Sequence, residues 1–253
     1  MVLIDHLLAL LLAVLGPLRS AVVGLKRFQR ADARDLGRVR LKAYRGSMLG
    51  QLWRVAAVMV VWWLMHRSPA TLGLAPHAGA GLIGVSVGLA VIIGVMLRQR
   101  REALADPTGR RELREHLDNI RLVLPHTRAE FKTFAWVALT AGICEELLYR
   151  GYLIWYFSHA LPWWGAGLVT AVAFGFGHAY QGARGVVVTG LLGAFLAAVY
   201  FLTGSLYASM LIHFLMDLHS GDLAWRVYET EAADTLPPAP AVEAITPQEP
   251  HVP

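Results

Sequence analysis

An all-α, polytopic bundle of transmembrane helices is the fold class this 253-residue sequence predicts. Three observations carry that reading. The chain is 56% hydrophobic and only 16% charged, with mean hydropathy +0.47, whereas a soluble domain carries about a quarter charged residues. The apolar residues fall in blocks of about 20, the length needed to cross about 30 Å of hydrocarbon at about 1.5 Å per residue. The charge is also unevenly placed. Residues 24–47 hold eight Lys/Arg and residues 98–129 eight more, together 16 of the 23 in the chain, as expected of cytoplasmic loops between spans. The net charge of +5 therefore does not point to nucleic acid, because no aromatic residues are interleaved with the basic ones in a binding module. The basic stretches are expected to lie against anionic lipid heads.

The elements follow in order. Residues 2–23 form the first apolar block, with Asp5 and His6 near its start and Pro17 toward its end. Without a basic leader or a small-residue cleavage site, it reads as an uncleaved span. The second block is about 48–65, "MLGQLWRVAAVMVVWWLM", with a Trp pair suited to the interface, and the third is about 78–97, rich in small residues. The basic segment 98–129 reads as partly helical on the surface. The remaining spans are 131–157, 162–178 (opened by the helix-start signal of Pro162), 185–203 and 205–219. That makes about seven spans (six to eight), with the N-terminus outside and the tail cytoplasmic. From Asp222 the chain turns polar, and "TLPPAPAVEAITPQEPHVP" lacks a core-forming pattern and is expected to be disordered. The single cysteine, Cys144, excludes an intramolecular disulfide and a Cys-cluster metal site and reads as a small buried residue.

The fourth block raises the functional question. "ICEELLYRGYLIWYF" places Glu145, Glu146 and Arg150 in an apolar run, and ionised groups at membrane depth usually mark a site. Glu146 and Arg150 are spaced i,i+4 with the acid N-terminal, so they pair on one face; Glu145 points about 100° away and lacks a local partner. "AVAFGFGHAYQG" ends the fifth block on His178, and "SLYASMLIHFLMDLHSG" carries His213 and Asp217, again i,i+4. Such a pair suits a metal, a water or a structural contact. His219 and Asp222 sit at the membrane edge and read as solvated. A free glutamate, an isolated histidine and a His/Asp pair on three spans match what peptide hydrolysis needs: a carboxylate to take a proton from water, an imidazole to hold that water, and donors for the oxyanion. One geometric conflict remains. Glu145 lies about 21 Å along its helix from residue 131, while His178 closes the inner end of the next span. They share a depth only if 131–157 starts well outside the hydrocarbon or breaks near Gly142.

Glu145-Glu146-Leu147-Leu148-Tyr149-Arg150, then Phe174 to His178, then His213 to Asp217 resemble, in order, the motifs of the CPBP intramembrane proteases: the CAAX prenyl endopeptidases of the Rce type and their bacterial Abi relatives. Gly151 and the approach "TGSLYASMLIH" also fit, and the likeness covers about residues 130–220. The resemblance implies an endopeptidase in which Glu145 is the general base acting with His178 on water. His213 and residue 217 polarise the scissile carbonyl, and Glu146 and Arg150 form an organising ion pair. Asp217 departs from the asparagine of the CAAX enzymes: an amide donates to an oxyanion and an ionised carboxylate does not. Asp217 must then stay protonated, act through His213 or bind a metal. Family members are often labelled metalloproteases, yet no H-E-x-x-H motif occurs. A mononuclear zinc site is chemically open to Glu145, His178, His213 and Asp217, and a glutamate-activated water without an obligatory metal is the favoured reading.

The expected organisation is then 1–129, N-terminal spans and two basic loops; 130–221, the catalytic helical core; and 222–253, the tail. The expected setting is a bacterial inner or plasma membrane, with a membrane-associated or lipidated peptide or protein as partner and no nucleic acid. Oligomeric state is not legible. "GVSVG", Gly84 to Gly88, matches a serine-hydrolase pattern around Ser86, but small residues four apart also serve helix packing. Buried Glu, His and Arg also build proton pathways, yet the other spans are nearly bare of charge. A membrane scaffold or immunity protein that binds a peptide without cutting it is the remaining alternative.

Overall fold

A computed structural model describes residues 1–75 and 81–234. The start of the third apolar block and the Pro-rich segment from residue 235 onward lie outside the described residues. The described chain is helical, without a strand among the described residues, as the all-α reading requires. Helix α1 (Leu3–Gln29) contains a π-helical turn at Leu11–Leu15. It is followed by α2 (Leu36–Leu64), α3 (Gly81–Ala105) and the short α4 (Pro107–Leu117). Helix α5 begins as Arg128–Glu146, passes through a π-helical stretch Leu147–Leu153, and ends in the turn Ile154–Phe157. The last three helices are α6 (Trp163–Gly177), α7 (Gly182–Thr203) and α8 (Leu206–Asp234).

Local chemistry explains the boundaries. Thr127 caps α5 by accepting from the backbone N–H of Glu130 at 3.2 Å, meeting one of the four unpaired donors of a helix start. Asp106 does the same for α4 through Gly109 at 2.8 Å, with Pro107 in the first turn. Gly204 ends α7 in the left-handed conformation, φ 64°, which glycine adopts without steric cost.

Several boundaries differ from expectation. The basic stretch 36–47 is the first part of α2 rather than a loop; Arg40 anchors it by a bidentate pair to buried Glu130, at 3.0 and 3.1 Å. Helix α8 runs on to Asp234, through the first part of the segment read as tail, because Trp225 stacks on Phe131 and Tyr228 on His126. Asp222 is not a free edge residue: it accepts from Arg100 and Arg226, at 2.8 and 2.9 Å. His219 is likewise not simply solvated, its Nε2 being buried.

Length and apolarity alone do not confirm the expected span count. Among the described residues, three helices are long and apolar enough to cross a membrane: Leu3–Gln29, Leu36–Leu64 and Ala179–Thr203. Trp163–Gly177 is a shorter apolar one. The expected total of about seven is not reached by that measure. Length and apolarity together miss α5 because Glu145, Glu146 and Arg150 lie within it.

Side-chain pairings set the helix directions. Arg40 meets Glu130, Gln51 meets Glu145, and Trp62 packs on Tyr152 and Trp155, so α2 and α5 run parallel. Gly142 faces Met210 and Phe214, Phe134 faces Gly221, and Phe131 faces Trp225, so α8 returns antiparallel to α5. Helices α6 and α7 form an antiparallel hairpin through Gly175 against Val186 and Gly190, and Gly167 against Phe201. The main core is buried between α1, α2, α5, α6 and the start of α8, with Trp62, Tyr152 and Phe174 among its largest side chains.

Gly142 is where two backbones come closest. A Cβ there would lie 2.8 Å from the Met210 carbonyl oxygen and 2.9 Å from the Phe214 nitrogen. Backbone cannot swing aside, so Gly142→Ala is expected to cost about 1–3 kcal/mol and to displace the neighbouring His213. A lowered thermal midpoint in detergent checks it.

Outside the spans, His126 Nε2 lies 2.9 Å from the Arg121 carbonyl oxygen. Because a carbonyl only accepts, the imidazole Nε2 is the N–H donor. Burial, then the Arg40 charge, hold its pKa down at about 4. As pH falls below 6.5, the usual histidine value, the unfolded chain takes a proton that the folded one refuses. Stability is thus present above about 6.5 and lost on the way down to about 4. His126→Phe is expected to reduce this acid sensitivity, measured by thermal midpoints across that window.

Candidate active site

Phe174, 1% exposed, is the hub around which the motif residues gather. The Arg150 guanidinium lies over its ring at 4.4 Å, a cation–π contact. Tyr149 and His213 meet the same ring edge-on at 5.0 and 5.7 Å, and His178 lies tilted beside it at 4.9 Å.

The depth conflict is resolved by helix lengths. Helix α5 starts at Arg128, well before the apolar run, and passes through Gly142 without a break. Helix α6 has only 15 residues, about 22 Å, against about 30 Å of hydrocarbon. Measured from the end of the bundle shared by Phe157 and Trp163, Glu145 lies about 18 Å down and His178 about 22 Å down. Leu206 is level with Gly151, bonded through its N–H to Gly73 and packed on Gly151. That places His213 about 20 Å and Asp217 about 25 Å down on the same scale. Consistently, Asp217 lies within electrostatic range of Glu145, Glu146, His178 and His213.

Glu146 is fully buried, and its Oε1 accepts from Arg150 Nη1 at 2.7 Å and from His213 Nδ1 at 2.8 Å. Arg150 also donates through Nη2 to the Gly193 carbonyl at 2.9 Å. The pair expected from the i,i+4 spacing is thus present, and it does more than order one helix. It ties α5 to α7 and orients a histidine of α8. Since His213 Nδ1–H donates to Glu146, only Nε2 remains for a substrate, and Nε2 lies 3.7 Å from Asp217 Oδ2, too long for a hydrogen bond.

His178 is oriented from its own helix end. Its Nδ1 lies 2.9 Å from the Phe174 carbonyl, so Nδ1 carries the proton and a neutral ring presents Nε2 as acceptor. Gly177 beside it leaves room for the Tyr149 hydroxyl, which would lie 3.2 Å from any Cβ there.

Glu145 is only half-buried. Its Oε1 accepts from Gln51 Nε2 at 3.1 Å, and Gln51 Oε1 in turn accepts from the Thr140 hydroxyl at 2.8 Å. Gln51 and Thr140 were not singled out by sequence reasoning. The available signal was an uncharged amide in the middle of an apolar block, weaker than the charges that draw attention to a site. The π-helical stretch that begins directly after Glu146 was also unforeseen. It buries Leu147–Leu153 completely, and π turns recur at functional sites.

Residues 127–219 match the family model described as type II CAAX prenyl endopeptidase Rce1-like. That stretch is similar to an Rce1-like domain. Neither a curated protein nor a solved structure matches the chain. The match supports, in general terms, an intramembrane endopeptidase of the CAAX type, a family whose substrates are peptides or proteins at the membrane. Together with the apolar helices it marks an integral membrane protein. The matched stretch contains every motif residue above, while Gln51 comes from α2, outside it.

As arranged, the polar side chains do not form a metal cage. Among the described residues, no three His, Cys, Asp or Glu side chains converge as ligands would. Both histidine Nδ1 atoms are committed, to Glu146 and to a carbonyl, which leaves Nε2 of each ring as its available nitrogen. Gly84 and Gly88, on either side of Ser86, have nothing within 4 Å of where a Cβ would stand. Cys144 is buried, as expected.

Proposed function

We propose that the protein hydrolyses a peptide bond of a membrane-associated or lipidated substrate with a water activated by Glu145. The observation that supports this reading is that His178 and His213 both pack on Phe174, with Asp217 within electrostatic range of both and of Glu145. The Glu145 carboxylate takes a proton from water, and His178 Nε2 accepts the water's second hydrogen bond and orients it. His213, held by Glu146 through Nδ1–H, acts as an imidazolium and donates Nε2–H to the scissile carbonyl oxygen. The proton taken by Glu145 then passes to the leaving amine. Asp217, 36% exposed at its side chain and 3.7 Å from Nε2, acts through His213 as a counter-charge rather than as a direct donor. No step uses a metal. Residues 130–221 form the catalytic core, and the basic end of the bundle, with the basic stretches 24–47 and 98–129, faces the cytoplasm of a bacterial cell.

The test is cleavage of a farnesylated CAAX reporter peptide and of its unprenylated counterpart by the full-length protein in vesicles. Glu145→Ala is expected to abolish cleavage, and a chelator to leave the wild type unchanged. Chelator-sensitive activity restored by zinc overturns the metal-free scheme, and binding without cleavage supports the scaffold reading instead. Asp217→Asn is expected to lower kcat by about 10-fold through loss of the counter-charge. Unchanged or raised activity means that residue 217 works as a neutral donor.

A further inference from the structure

The Thr140–Gln51–Glu145 chain is a bonded relay that the motif residues do not account for. Gln51 is 2% exposed and reaches Glu145 because α2 runs parallel to α5. We propose that Gln51 is the positioning residue for Glu145, with its amide orientation set by Thr140; this rests on the reading of Glu145 as the base. One carboxylate oxygen is held by the amide. The other, with no hydrogen bond among the described residues, is left to the water.

A primary amide suits this place better than any charged or apolar side chain because it is both donor and acceptor. While Glu145 is a carboxylate, Gln51 Nε2 donates to it at 3.1 Å and Thr140 donates to Gln51 Oε1 at 2.8 Å. Once Glu145 holds the proton from water on its other oxygen, the oxygen facing Gln51 is the carboxyl C=O and goes on accepting from Nε2, while Thr140 goes on donating to Gln51 Oε1. The same two bonds serve both protonation states, so Glu145 keeps its place before and after proton transfer.

The experiment compares cleavage of the farnesylated reporter peptide in vesicles by wild type, Gln51→Met, Thr140→Val, Thr140→Ser and Glu145→Ala. Gln51→Met preserves shape and removes both hydrogen bonds. It is expected to lower kcat by about 10- to 100-fold with KM little changed. Thr140→Val is expected to lower kcat several-fold, and Thr140→Ser to restore it. A Gln51→Met protein with lowered thermal stability but wild-type kcat per folded molecule shows a packing residue and overturns the proposal. If Glu145→Ala is inactive and Gln51→Met is fully active, only this inference fails; if Glu145→Ala retains activity, the base assignment itself fails. A readout without turnover is the isotope-edited infrared band of the Gln51 side-chain carbonyl. It is expected to shift in Thr140→Val, and an unshifted band overturns the relay.

Discussion

Replacing Arg150 with methionine is expected to destabilise the protein by about 3–5 kcal/mol, the cost of leaving a buried charge without its partner. Glu146 is fully buried; its Oε1 has Arg150 and His213 as partners, and its Oε2 has none among the described residues. Without the guanidinium, one carboxylate charge rests on a single imidazole contact. Phe174 loses the cation over its ring, and the Gly193 carbonyl loses a donor. The double variant Glu146→Leu/Arg150→Met removes both charges together. Replacing a buried pair with packed apolar groups is often neutral or stabilising, so this variant is expected to regain much of the lost thermal midpoint. It is not expected to regain activity, because His213 no longer has an acceptor for its Nδ1 proton. Thermal midpoints in detergent, set beside cleavage rates normalised to folded protein, separate these outcomes. A double variant as active as wild type shows that the Glu146–His213 contact is incidental.

The same residues show what was legible in the sequence. Glu146 and Arg150 pair by i,i+4 spacing, a local property of one helix, and the structure has them bonded. His213 and Asp217 lie on one face for the same reason, though their 3.7 Å separation is set by where the rest of α8 is held. The all-α class follows from composition, because an apolar run of this length satisfies its backbone only as helix or barrel. Links between distant segments were not legible. Glu146 and His213 are 67 positions apart, and Gln51 and Glu145 94; no local pattern joins such pairs. Helices α2 and α8 run beyond the apolar blocks because the pairing of Arg40 with Glu130 and the stacking of Trp225 on Phe131 extend them past their apolar parts.

Glu145→Gln is expected to lower kcat by about 100- to 10,000-fold, the usual worth of a general base, while changing KM and the thermal midpoint little. The amide is nearly isosteric and still bonds to Gln51, which turns its own amide to match. What is lost is the capacity to take a proton. His178→Ala removes the second acceptor for the same water and is expected to lower kcat comparably. Because the two groups act on one water molecule, Glu145→Gln/His178→Ala is expected to be hardly worse than either single variant, as for residues that work as a unit. Fully additive losses place His178 in a separate step, such as protonation of the leaving amine. The Phe174–His178 geometry argues for one step: Nδ1 is fixed on a carbonyl of the residue's own helix end, so the ring presents Nε2 in one direction only. A ring held in that way is built to orient a water, and it is poorly suited to swing between a water and a departing amine.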